Sequence, residues 1–130
     1  MTPLQLRESL ETILSDRLGT YRLGNGATTT AISVRAEGEP LPARTRVSGV
    51  EAIIRRDPGL RPVPSYINQN AFRVWFVDLL DWSNTGTLEE MATAVLAAYG
   101  NVAIADLPVS EGAGPQAHKR LTFSSNPEVR

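Results

Sequence analysis

The sequence contains no cysteine. This excludes a disulfide framework, a thiolate metal site and a cysteine nucleophile. Histidine is nearly absent too: His118 stands alone, so no second imidazole exists to complete a zinc site. A Ser-His-Asp triad would have to use His118, and the chain carries no G-x-S-x-G elbow to go with it. His118 reads as an exposed polar residue beside Lys119. An excess of either charge is also missing, since 13 basic residues face 14 acidic ones. Near-neutrality argues against a dedicated nucleic-acid binder, whose footprint is strongly basic, and offers little electrostatic resistance to self-association. No apolar run approaches the roughly 20 residues of a membrane span. The N-terminus lacks the basic start and apolar core of a signal peptide, so no membrane partner is expected and an intracellular location is.

What is present reads as one domain, 1–130, which needs no covalent staples because a chain of this length buries about two-thirds of its unfolded surface. Thr2, Pro3 and Gln5 form a T-x-x-Q helix start. Leu6, Leu10, Ile13, Leu14 and Leu18 follow as a narrow apolar stripe, with Arg17 in the last turn and Gly19 as the stop. Thr20 to Leu23 reads as extended, Gly24-Asn25-Gly26 as a tight turn and Thr28 to Arg35 as a strand. Residues 36–45 contain Gly38, Pro40 and Pro42 and read as a loop or exposed edge. Arg46 to Arg55 reads as one strand, with Val50, Ala52 and Ile54 on one face and Glu51 and Ile53 on the other. Arg56 to Asn70, with Pro58, Pro62 and Pro64, reads as a long loop of the kind that reaches a neighbour.

Phe72 to Trp82 is the strongest strand signal. Phe72, Val74, Phe76 and Leu80 point one way, and Trp75, Val77 and Leu79 the other. Two apolar faces predict a central strand covered on both sides, and one helix layer covers only one of them. Thr87 opens a second helix with Glu90 at the capping-box position. Leu88, Met91, Val95 and Tyr99 form its stripe, joined by Leu96, and Gly100-Asn101 closes it. Val102 to Leu107 and Lys119 to Ser124 read as closing strands around a flexible loop at Pro108 to Ala117. The order predicts an α+β fold: a small mixed or antiparallel sheet, two amphipathic helices packed on one face, and a long Pro-rich loop.

Candidate chemistry is sparse. Asp78 and Asp81 interrupt the strong strand, but a spacing of three sends them to opposite faces, and they read as its fraying end or salt-bridged edge. Glu89 and Glu90 suit the helix dipole. Gly24-Asn25-Gly26 lacks the G-K-[ST] ending of a phosphate loop. No catalytic, metal or cofactor site is expected. Arg44, Arg46, Arg55, Arg56 and Arg61 cluster around one strand and the long loop. They read either as a solvated face paired to Glu37, Glu39, Glu51 and Asp57, or as an interface or a surface near nucleic acid, because Arg makes bidentate contacts with carboxylate and phosphate. Trp75 and Trp82 read as core or interface anchors.

Taken together, the helix L-R-E-S-L-E-T-I-L, the extended T-Y-R-L-G-N-G-A-T-T-T-A-I-S-V-R, then V-S-G-V-E-A-I-I-R-R, F-R-V-W-F-V-D-L-L-D-W, T-L-E-E-M-A-T-A-V-L and R-L-T-F-S resemble the tail-terminator or tail-completion proteins of long-tailed bacteriophages across nearly the whole chain. The resemblance implies a ring, usually a hexamer, at the head-proximal end of the tail tube. Such a ring ends tube polymerisation and joins tail to neck. It implies as partners further copies of the chain, the tube and sheath proteins, a neck or connector protein, and genomic DNA passing through the lumen without sequence-specific binding. It implies a place in the virion, after assembly in the host cytoplasm. The interface or lumen candidates (Arg44, Arg46, Arg55, Arg56, Arg61 and Trp75) come from composition and not from the resemblance. Alternatives are another neck or head–tail connector subunit, and a small ligand-binding or enzymatic α+β domain.

Overall fold

The leucine stripe forms α1, Pro3–Leu14, which runs on into a 3₁₀ turn at Ser15–Arg17. Leu6, Leu10, Leu14 and Leu18 are all buried, as the helical spacing predicts. The computed structural model describes residues 3–35, 39–56, 75–109 and 114–123, with the side chain of Arg56 outside that description. Thr2, most of the Pro-rich segment, and the Phe72 to Val74 start of the strong strand therefore lie outside the described residues. The predicted stop at Gly19 needs correcting. The helix ends earlier, where Ser15 adopts φ 41°, and Gly19 serves a different purpose described below.

Among the described residues, eight strands form two sheets. The smaller one has the order β2-β1-β4: β1 (Thr20–Arg22) lies between β2 (Thr28–Thr30) and β4 (Arg46–Ser48), all antiparallel. The larger one has the order β3-β5-β6-β8-β7 and consists of β3 (Ile32–Val34), β5 (Val50–Arg56), β6 (Trp75–Asp81), β8 (Ala117–Phe123) and β7 (Val102–Leu107). β3 runs parallel to β5 and the other pairs are antiparallel, so the sheet is mixed. The fold is α+β, and β6 is its central strand, both as expected.

Two segments that read as single strands are each split between the sheets. Thr28 to Arg35 becomes β2 and β3, broken at Ala31, and Arg46 to Arg55 becomes β4 and β5, broken at Gly49 with φ 78°. Gly19 passes through this corner. Its N–H donates to Val50 O at 2.8 Å, and its carbonyl accepts from Ala31 N at 3.0 Å. A Cβ on Gly19 would lie 1.9 Å from Ser48 O, so close backbone approach, not left-handed geometry, requires glycine here.

The second helix, α2, spans Leu88–Tyr99, and Gly100 ends it with φ 82° and an N–H bond to Leu96 O. The capping box does not form. The Thr87 side chain makes no cap bond, and Glu90 instead accepts from Arg17 Nε at 2.8 Å, tying α2 to the end of α1. Leu96 faces outward and does not join the stripe. Both helices pack on one face of the large sheet, placing Leu6, Leu10, Met91 and Val95 against Ala52, Ile54, Val77, Leu79 and Phe123. The Tyr99 ring meets Phe123 edge to face at 5.3 Å. Burial of each such side chain contributes about 1.5–3 kcal/mol.

The opposite face of the large sheet carries Phe76, Asp78 and Leu80, flanked in register by Arg55, Ile53 and Glu51 on β5 and by Thr122, Arg120 and His118 on β8. Ile53, Glu51, Asp78 and Leu80 are all buried. The small sheet folds over part of this face: the Tyr21 hydroxyl reaches Glu51 and Ser33, and Val47 faces Ile53 and Leu80 across a cleft. The chain thus closes its second face over β5 and β6 by itself. An apolar β6 on both sides does not call for a neighbouring subunit.

Candidate functional site

Two carboxylates lie inside the second face, and both are saturated by internal donors. Asp78 is 1% exposed. Arg120 grips it with two bonds, Nε to Oδ1 at 2.8 Å and Nη2 to Oδ2 at 3.2 Å. Arg55 Nε and His118 Nε2 each approach to 3.1 Å from other directions, and the Arg120 guanidinium also stacks over the Phe76 ring at 4.6 Å. Burial alone would raise the Asp78 carboxyl, but the hydrogen bonds and charges of His118 and Arg120 outweigh it and hold the group down to about 2. Asp78 is therefore not the frayed or edge residue read from the sequence. It lies on the central strand as a hub held ionised down to acid pH. His118, read as exposed, is half-buried against it. That arrangement was invisible in sequence because β8 had no recognised register with β6.

Glu51 forms the second hub. Tyr21 OH and Arg35 Nη2 (2.9 Å) donate to Oε2, and Trp82 Nε1 donates to Oε1 at 3.1 Å. Burial first, then the bond to Glu51, pushes the Tyr21 phenol well above its ordinary value. Asp81 lies on the other face from Asp78, as the spacing of three requires. Its carboxylate accepts N–H bonds from Ser83, Thr85 and Gly86. It closes the turn after β6, and these backbone donors hold its carboxyl low against the opposing effect of burial. Each carboxylate thus acts as an organiser of local structure.

The predicted arginines separate. Arg55 turns inward to Asp78. Arg61 and the side chain of Arg56 lie outside the described residues. Arg44 and Arg46 come together, and a residue that sequence reading missed joins them: Arg22, which stands directly opposite Arg46 in the β1–β4 ladder. All three are exposed and line one cavity of about 350 Å³ with Leu23, Gly24 and Gly26 of the turn. That turn is as predicted: Gly26 takes φ 86°, and Asn25 Oδ1 accepts from Ala27 N at 2.9 Å. Arg22 comes from a different segment, so only the strand register could have revealed it.

Trp75 is a core residue, 3% exposed and packed within the helix-side cluster. It offers no surface to a partner, because odd-numbered positions of β6 face the helices. Apolar surface lies instead at the two ends of the large sheet. β3 and β7 are its terminal strands, each paired on one side only among the described residues. The β7 edge exposes Ile104 (40%). The β3 edge exposes Val34 (46%), beside a hollow of about 420 Å³ between β3 and the first turn of α1, where Leu4 is 58% exposed. Among the described residues no cluster of His, Cys, Asp and Glu suits a metal, and no helix is long and apolar enough to cross a membrane. No family model, curated protein or solved structure matches the chain.

Proposed function

We propose that the chain is a structural subunit that joins copies of itself edge to edge into a closed ring, in the tail-terminator role its sequence resembles. One observation carries the assembly part. The large sheet ends in two different apolar edges, one with an exposed Ile104 and the other with a hollow beside Val34 and Leu4. An unpaired apolar edge strand is a template for another strand. A contact between unlike surfaces is heterologous, and it closes into a ring when its rotation divides a full turn. The step to a phage tail rests on the sequence resemblance. In that role the ring is a virion component that caps the tube, meets a neck protein and lets genomic DNA pass. A neck or connector ring would use the same edges with different neighbours.

Because the chain has no cysteine, an engineered pair reports the contact cleanly. In a Val34→Cys, Ile104→Cys variant, oxidation should yield a ladder of linked chains ending at a closed ring, while each single variant, whose one thiol faces no thiol across a contact between unlike edges, should stay monomeric. Oxidised monomer from the double variant, with or without added tail tube, would rule the edge contact out. Cross-linking in whole particles then separates the two roles, since contacts to capsid or portal alone favour the connector.

A further inference from the structure

We propose that Arg22, Arg44 and Arg46 form a phosphate-binding site on the small sheet, which holds the phosphodiester backbone of nucleic acid without reading its sequence. The overall balance of charge hides this site, but the pattern of pairing exposes it. Arg7, Arg17, Arg35, Arg55 and Arg120 are each in an ion pair with a carboxylate. Among the described residues, Arg22, Arg44 and Arg46 are the arginines with no carboxylate in reach, and all three line the same cavity. A random scatter of surface charge would not gather every uncompensated guanidinium among the described residues in one place.

The local structure is costly without a ligand. Arg22 and Arg46 are direct cross-strand partners, and like charges in that relationship destabilise a sheet. Arg44 holds φ 64°, an unfavourable conformation for a side chain of this size. Its Cβ packs against the Gly24 backbone so closely that a Cβ on Gly24 would lie 3.3 Å from it. The turn and the β4 approach are therefore locked together with the three guanidinium groups around their junction. A bound polyanion removes the repulsion that this geometry sets up.

The ligand class follows from what lines the cavity. Each guanidinium presents five N–H donors in a fixed fork, more in total than one carboxylate accepts, whereas a phosphodiester strand offers non-ester oxygens at each successive step. Protein-binding hot spots combine Arg with buried aromatic or aliphatic anchors. Here Leu23 is the one apolar side chain among the lining residues, with no aromatic ring to stack a base. That favours a backbone contact, which positions nucleic acid without specifying its sequence. The arginines stand independently of the edge contact, and the ring reading bears only on where the nucleic acid comes from.

The test is fluorescence anisotropy of a labelled 20-base-pair DNA duplex with the full chain, across a salt series, with two unrelated sequences. The wild type should bind both alike, and log K should fall with log salt at a slope near −2 to −3 for about three phosphate contacts. An Arg22→Gln, Arg44→Gln, Arg46→Gln variant should lose about tenfold or more in affinity and most of that slope. Its melting temperature should stay level or rise, since repulsion has been removed; a merely structural role would lower it. An Arg17→Gln control, at a paired arginine, should bind like the wild type. Equal duplex binding by the triple variant overturns the site. So does binding of inorganic tripolyphosphate or poly-glutamate with no binding of the duplex, which would mark a small-anion or acidic-partner site. Since the Val34–Ile104 cross-link reads the ring separately, failure of one claim is distinguishable from failure of the other.

Discussion

Gly19 and Gly49 cross at the corner between the two sheets, and a Cβ built on either would lie 2.8 Å from the other's Cα. No L side chain fits that crossing without moving backbone. Gly19→Ala should therefore destabilise the fold by about 1–3 kcal/mol, the range for forced overpacking. Gly49→Ala should cost somewhat more, because φ 78° adds about 1–2 kcal/mol. Gly114→Ala, with nothing within 4 Å of its Cβ, should be close to neutral. Urea denaturation of the three variants measures the differences, and a neutral Gly19→Ala would mean that the corner is more open than described.

The Asp78 hub makes a pH prediction with a definite sign. A carboxyl lowered from 3.8 to about 2 on folding gives stability that is full above the unfolded value and lost as pH falls through the folded one. The window is thus pH 4 to 2, and the loss across it is about 2 kcal/mol. Asp78→Asn removes this dependence and leaves Arg55 and Arg120 without their counter-charge, which costs about 3–5 kcal/mol at neutral pH. The stability gap between the two proteins, followed at pH 7, 4 and 2, should therefore narrow by about 2 kcal/mol towards the acid end. Parallel curves would show that Asp78 is not held low by the fold.

Trp75 separates a folding residue from an assembly residue. Its indole lies in the helix-side core, so Trp75→Ala should cost about 3–5 kcal/mol by cavity formation and lower the thermal midpoint of the isolated chain. Ile104→Lys, on an exposed edge, should leave that midpoint within a few degrees and act only on self-association. The reverse pattern in a thermal melt and a sedimentation run would exchange their roles.

Elements with a one-dimensional signature were legible in the sequence. The leucines of α1, the stripe and Gly100 stop of α2, and the two-sided apolar β6 announce themselves by spacing. Gly49 was a readable warning, since a glycine inside a strand pattern often marks a bend, yet β4 and β5 still read as one strand. Ala31 carries no such signal, so the division of β2 from β3 came only from the tertiary corner. The polar networks were hidden for a different reason. Asp78 meets His118 and Arg120 from 40 and 42 positions away, and Arg22 meets Arg46 across 24. Composition can list such residues, but only the register brings them together.

The last prediction concerns how the small sheet is held. Tyr21 is the side chain that carries β1 onto the second face, through its bond to Glu51 and its contact with Ser33. Tyr21→Phe keeps the ring and removes one charge-assisted bond, which should cost about 1.5–3 kcal/mol. Glu51→Gln should cost more, because Arg35, also bound there, loses its counter-charge. The double variant should cost less than the sum, with a coupling of about 0.5–3 kcal/mol. The phenol also gives the effect a sign at high pH. Its value is raised above the ordinary 10.0, so the neutral form is favoured by folding, and the stability it supplies is present below pH 10 and lost above it. Wild-type stability should fall between pH 9 and 11 by more than that of Tyr21→Phe. Additive losses and a flat alkaline profile would show that the small sheet is anchored elsewhere, and the arginine cavity it carries would then lack the fixed base on which its geometry depends.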